Sequence, residues 1–313
     1  MTAAPEKTPA RSRLRTFLPW IVGVAIVVAI VLRVPVAAFR DAIQHGPHLQ
    51  LAIVDALVVL VVLATDTLAT WAAVAAIGVR WAFRKVFAVR GATYLLSLLN
   101  YAAGQGGIGY YLHREGISGA RAIGSTLFIM GTTFATLLLV AAATLASGRV
   151  SDPRWTWTVL GLCAAFVVYL VIIALRPALL ARREVFRPLF DAGLGGHART
   201  MIARLPHVAM IVAGHWFAFV AWDIDVPFWE AMTVMPLIVV VATLPISPAG
   251  LGTTQAAFVF FFARYADGAT PEAREAHLLA FGIVHFVYGI VWQFLVGLAC
   301  LPLARREATP PPT

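Results

Sequence analysis

Long apolar blocks alternate with short polar or Gly/Pro-rich stretches along the whole chain. Predominantly apolar runs fall at about 17–34, 49–78, 122–147, 155–175, 205–222, 228–245 and 277–301, each long enough for a helix to cross hydrocarbon, which takes roughly 20 residues. Two further apolar stretches, 92–112 and 247–266, are interrupted by glycine or proline. The pattern predicts an all-α polytopic membrane protein with about seven or eight transmembrane helices, one or two re-entrant or broken segments, and an inverted repeat. One transmembrane domain is expected over 17–303, in two halves of about 17–175 and 205–303, between cytoplasmic tails 1–16 and 304–313.

Composition agrees. Of the 313 residues, 60% are hydrophobic and 12% charged. A soluble domain carries about 25% charged residues, so this chain cannot cover a water-facing surface. The 24 basic residues outnumber the 15 acidic ones, but they sit at the ends of apolar blocks rather than on one nucleic-acid-binding face. No nucleic-acid partner is expected; membrane lipids are, and self-association into a homo-oligomer is compatible with the pattern. The clusters Lys7/Arg11/Arg13/Arg15, Arg80/Arg84/Lys85/Arg90, Arg176/Arg182/Arg183/Arg187/Arg199/Arg204 and Arg305/Arg306, with Arg114 and Arg121, are assigned to one cytoplasmic face. Trp155, Trp157, Trp222 and Trp229, with Asp223, Asp225 and Glu230, mark the opposite interface. Both termini are then cytoplasmic and the chain is multi-pass in the cell membrane. The basic start and first apolar run have the shape of a signal peptide, but Arg33 and Pro35 spoil a cleavage site, so an uncleaved first helix is expected. Cys163 and Cys300 lie alone in apolar blocks, without metal-ligand spacing.

Parity along this orientation makes 92–112 re-entrant, and 247–266 a broken crossing that ends on the outer side. Non-helical backbone at membrane depth is tolerated only inside protein or beside a water-filled cavity. Each half therefore holds one broken segment: Asn100 to Gly109, with glycines at 104, 106, 107 and 109, and Leu244 to Gln255, with Pro245, Pro248, Gly250 and Gly252. Paired interruptions in corresponding halves point to a transporter's binding site. Packing of helices through small residues is the simpler alternative, but so dense a glycine run is costly for a helix.

The stretch Leu244-Pro-Ile-Ser-Pro-Ala-Gly-Leu-Gly-Thr-Thr-Gln255 resembles the Leu-Pro-Ile-Ser-x-x-Gly-Leu-Gly-x-x-Glu signature of the transmembrane region of lysylphosphatidylglycerol synthases. Asn100, the Gly104–Gly109 run, Arg114 and the Gly116-Ile-Ser turn resemble that family's first-half motif. The resemblance implies a helical bundle with two re-entrant elements that moves lipid between leaflets. Gln255 replaces the usual Glu, no Glu follows Gly109, and the Glu-Arg pair of the next helix is absent around Phe128 to Thr132. No aminoacyl-transferase domain is expected to follow, so the resemblance does not imply synthase activity; a translocator rather than an enzyme is expected. The alternatives are an intramembrane lipid-modifying enzyme and a non-transporting accessory subunit of an envelope lipid pathway.

Candidate substrate-binding residues are Asn100, Gln105, Arg114, Ser247, Gly250, Gly252, Thr253, Thr254 and Gln255. The neutral ones would supply hydrogen bonds, and Arg114 a guanidinium matched to phosphate. Ionisable residues within spans are functional candidates because burying a charge costs several kcal/mol. Asp66 is read as a proton site, as the partner of a cation, or as a structural ion pair. Asp55 lies on the same helix face, about 20° beyond three turns away, nearer the interface, where water could reach it. His215 and His285 are proton-relay candidates or neutral interhelical hydrogen-bonding groups. No metal or other cofactor is expected.

Overall fold

A computed structural model describes residues 21, 24–148, 153–243 and 247–307. The basic cluster before residue 16, the first part of the 17–34 block, Leu244 to Ile246 and the tail beyond Glu307 lie outside the described residues. The described chain is helical and contains no strand. The helices are α1 (24–31), α2 (Val36–His45), α3 (His48–Ala76), α4 (Phe83–Ser97), α5 (Tyr101–Arg114), α6 (Gly119–Ala146), α7 (Pro153–Leu175), α8 (Ala178–Ala181), α9 (Arg187–Ala221), α10 (Phe228–Thr243), α11 (Thr253–Phe262) and α12 (Pro271–Glu307). Among them, α3, α6, α7, α9 and α12 are long and apolar enough to cross a membrane.

Contacts at the helix ends sort the bundle into two faces. On one, Lys85 pairs with Glu115, Arg84 with Glu307, Arg121 with Asp191, and the Ser118 hydroxyl donates to Glu184. That face gathers the starts of α4, α6 and α9 and the ends of α5 and α12. On the other, His48 meets Tyr288 and Trp222, and Glu230 binds both Arg264 and Tyr265. The second set gathers the starts of α3 and α10 and the end of α9, with the segment following α11.

The course of the chain follows. Helix α3 crosses to the arginine-bearing face, α4 and α5 enter from it and return to it, and α6 crosses back. In the second half α9 crosses in the sense opposite to α3, α10 and α11 enter from the tryptophan-bearing face and return to it, and α12 recrosses. Span, hairpin and span thus recur with opposite sense. The packing repeats as well. Helix α12 lies on α4 as α6 lies on α10, α3 on α12 as α9 on α6, and α3 packs against α9 at the centre. This is the inverted repeat expected from the paired interruptions.

Three expectations are corrected in detail. The first-half break falls at Leu98–Asn100, before the glycine run, which lies inside α5. A Cβ at Gly104 would strike Ser97 and one at Gly107 would lie 2.6 Å from Thr93 Cγ2, while Gly109 faces Thr126 of α6. The glycines let α5 lie close against α4 and α6, so packing through small residues is their role. The block 228–245, expected to cross, is the first arm of a hairpin: α10 has 16 residues, about 24 Å of helix. Trp222, expected at the lipid interface, is 1% exposed and packs against His48 and Phe281.

Gly107→Val should destabilise the α4–α5 hairpin by about 1–3 kcal/mol through overpacking, read as a lowered thermal-unfolding midpoint in detergent. Gly106→Ala, where a Cβ meets nothing within 4 Å, should leave the midpoint unchanged or raised.

Candidate functional site

Both hairpins turn at membrane depth, where water does not satisfy the free N–H groups of a helix start. Each tip supplies its own cap. Asn100 sits in extended conformation before α5 and its Oδ1 accepts from the Ala103 N–H at 2.8 Å. At the second tip the chain makes a tight left-handed turn, with positive φ at Ala249 (48°), Gly250 (79°) and Gly252 (82°). Glycine enters such backbone without strain; at Gly250 a Cβ would also sit 2.7 Å from Thr254 Oγ1. The Gln255 Oε1 accepts from the Gly252 N–H at 2.6 Å, and its Nε2 donates to the Gly282 carbonyl of α12 at 3.0 Å. A carboxylate at position 255 could make the first bond but has no proton for the second. Glutamine is therefore the side chain that both caps α11 and ties it to α12.

The two tips meet at one cavity of about 280 Å³. Ser97, Leu98 and Tyr101 line it from the first hairpin, Thr243, Ala249, Thr254 and Gln255 from the second, His215 from α9, and His285 and Gln293 from α12. The starts of α5 and α11 both border it, so two helix-dipole positive ends face one space. Across α10 lies an apolar groove of about 380 Å³ between α6, α7 and α10, lined by residues such as Phe134, Leu138, Leu162, Phe166 and Leu237. Tyr101 of the cavity and Phe134 of the groove have ring centroids 6.1 Å apart.

Two buried carboxylates lie on α3 beside this space. Asp66 is 1% exposed and binds Arg90 of α4 through Oδ2 and Arg204 of α9 through Oδ1 at 3.2 Å. The Thr70 hydroxyl donates to the same Oδ1 at 3.3 Å, and His207 Nε2 lies 3.8 Å away. Arg90 and Arg204 are 5% and 1% exposed, so neither belongs to the face to which its sequence neighbours assign it. Two guanidiniums on one carboxylate leave one surplus positive charge, and Arg204 Nε and Nη2 have no hydrogen-bond partner among the described residues. The Tyr101 phenol lies within the electrostatic reach of all three. Asp55, placed where water could have reached it, is 2% exposed; its Oδ1 lies 2.9 Å from His285 Nδ1.

The remaining candidates are placed as follows. Ser247 and Thr253 hydrogen-bond each other at 3.2 Å and brace the second tip. Gln105 is buried within α5, and its Oε1 has no partner among the described residues. Arg114 ends α5, exposed on the arginine-bearing face, and is not part of the cavity's lining. Arg90, Arg204, Tyr101 and the Asp55–His285 contact are additions. A carboxylate in an apolar span demands a cation, but which arginine answers it depends on helix packing.

The family model described as the lysylphosphatidylglycerol synthase TM region matches residues 20–292, which includes both hairpins and both carboxylates. The chain belongs to the lysylphosphatidylglycerol synthase TM-region family. No curated protein matches the chain. Family membership links this multi-pass membrane protein to lipid handling. Within that family pattern, the capped tips and the cavity between them are where this chain's own departures, above all Gln255, become structural.

Asp66→Asn should be strongly destabilising, by roughly 3–5 kcal/mol, because it strands two buried guanidiniums. Unfolding by denaturant in mixed micelles measures the loss, and Asp66→Asn combined with Arg204→Met should recover part of it.

Proposed function

We propose that the chain is a lipid translocator, moving a phospholipid or other polar-headed lipid between leaflets without altering it. The observation that carries this reading is the meeting of two capped, oppositely inserted hairpin tips at one polar cavity beside an apolar groove. A head group needs hydrogen bonds at membrane depth, and Tyr101, Thr254 and Gln293 offer them without fixed charge around the tip that Gln255 holds. Acyl chains need only apolar contact, which the α6/α7/α10 groove offers. Two helix N-termini and the surplus positive charge behind Tyr101 favour a phosphate over an amine in the cavity. Inverted repeats give the two arrangements that alternating access requires, one opening to each side.

In this reading the arginine-bearing face is cytoplasmic, by the excess of basic residues at its helix ends, and both termini lie there in the cell membrane. A Glu272→Cys variant should then react with a membrane-impermeant maleimide on intact cells, and Arg306→Cys only after lysis. The reverse pattern would invert the orientation.

Transport is tested in proteoliposomes with a fluorescent phospholipid and dithionite quenching of the outer leaflet. Wild type should exchange the tracer faster than empty vesicles. Gln255→Ala removes two hydrogen bonds of about 1 kcal/mol each and should slow exchange roughly tenfold. Equal rates for wild type and Gln255→Ala would remove the cavity from the path.

A further inference from the structure

His285 lines the cavity, while Asp55 stands behind it, almost fully buried and bonded to it through one oxygen. The carboxylate's other oxygen, Oδ2, has no hydrogen-bond partner among the described residues. Nδ1 of His285 donates to the carboxylate, so Nε2 is the atom left to take a proton. His215, whose ring centroid lies 5.3 Å from that of His285, uses its own Nδ1 to donate to the Ile211 carbonyl at 2.7 Å. Phe281 stacks on the His285 ring.

The charges around the pair are few. Helix α3 adds His48, which bonds Tyr288 of α12 toward the tryptophan-bearing face. Helix α2 brings Asp41 and His45, paired with each other and exposed. Helix α5 presents Tyr101. Helix α4 carries Arg90 and Tyr94, and α9 carries Arg204 and His207, of which Arg90, Arg204 and His207 surround Asp66 and Tyr94 packs over the Arg90 guanidinium. Helices α10 and α11 line the cavity with Thr243, Thr254 and Gln255, none of them titratable.

We infer that the Asp55–His285 pair is a proton site that admits an anionic head group to the cavity only when it holds a proton. With His285 neutral, the Asp55 charge offsets, in the net sum, the surplus left by Arg90 and Arg204 against Asp66, and the attraction on a phosphate is weakened. One proton on His285 Nε2 makes the pair a neutral imidazolium–carboxylate and places a positive charge at the cavity wall. The surplus guanidinium charge is then uncancelled. An anion and a proton would therefore enter together, and the lipid would cross as a neutral sum. The inference rests on the cavity being the lipid's path.

The first test is binding. Purified protein in dodecylmaltoside with a pH-indicator dye, in weakly buffered solution near pH 7, is mixed with phosphatidylglycerol or phosphatidylcholine. Phosphatidylglycerol should draw about one proton per chain from solution, as linkage between proton and ligand requires, and phosphatidylcholine none. His285→Gln and Asp55→Asn should abolish the uptake. The second test is transport in phosphatidylcholine vesicles holding a fluorescent phosphatidylglycerol tracer. Wild-type exchange should fall about tenfold per pH unit on the alkaline side. His285→Gln, with a bare carboxylate left behind it, should be slow at every pH. Adding Asp55→Asn to His285→Gln should restore exchange and leave it independent of pH, a rescue that a merely structural contact would not give. Proton uptake equal for the two lipids, or an unchanged pH profile in His285→Gln, would overturn the inference. If no tracer moves in wild type, the translocator reading fails while the proton-uptake measurement still decides this one.

Discussion

A helix that begins in the middle of a bilayer exposes N–H groups with no water to bond them. This chain begins two such helices, and everything near its cavity follows from how they are satisfied. Asn100 closes one start with its own carboxamide; Gln255 closes the other and also holds the α12 backbone. The positive-φ backbone at Ala249, Gly250 and Gly252 brings the second tip round tightly enough for that capping to work. With both tips neutral and self-satisfied, the cavity keeps its remaining polar groups for a guest.

Charge is handled the opposite way. Asp66 and Asp55 are both taken far from water, and each is answered by side chains from other helices. Asp66 ties α3 to α4 and α9 through two arginines, and Asp55 ties α3 to α12 through a histidine. Eleven residues of helix separate the two by about 16 Å along α3, so one helix carries both electrostatic anchors. Breaking the Asp66 cluster from one side leaves an uncompensated buried charge, which costs far more than the cluster contributes. That asymmetry locks the central α3–α9 contact about which the two halves are arranged.

The inverted repeat gives these local features a shared geometry. Hairpins that enter from opposite faces bring their tips to the same depth, and their helix starts to the same space. Neither hairpin alone would enclose a cavity: its walls come from both tips and from α9 and α12. The apolar groove across α10 lies outside that enclosure, reached from it through the Tyr101–Phe134 contact.

Much of this was legible in the residues. Apolar run length marks the helices because hydrocarbon thickness is fixed, and α3, α6 and α7 fall where the runs predict. The two interruptions mark where the chain turns at depth, although the second reads as a broken crossing and not as the second arm of a hairpin, and helical periodicity places Asp55 and Asp66 on one face. His215, His285, Thr254 and Gln255 were identifiable as polar groups at membrane depth, and all four line the cavity. Other features depended on tertiary structure. The first break sits at Leu98–Asn100 because α5 needs its glycines to approach α4, an approach that only the packed pair reveals. Arg90 and Arg204 read as interface anchors because charge at the end of an apolar run normally meets water; here α4 and α9 extend beyond those runs and carry both arginines to Asp66. Sequence determines what must be buried and what must be capped, since those requirements come from the solvent. Which partner meets each requirement is decided by packing, because the groups concerned lie on helices far apart along the chain.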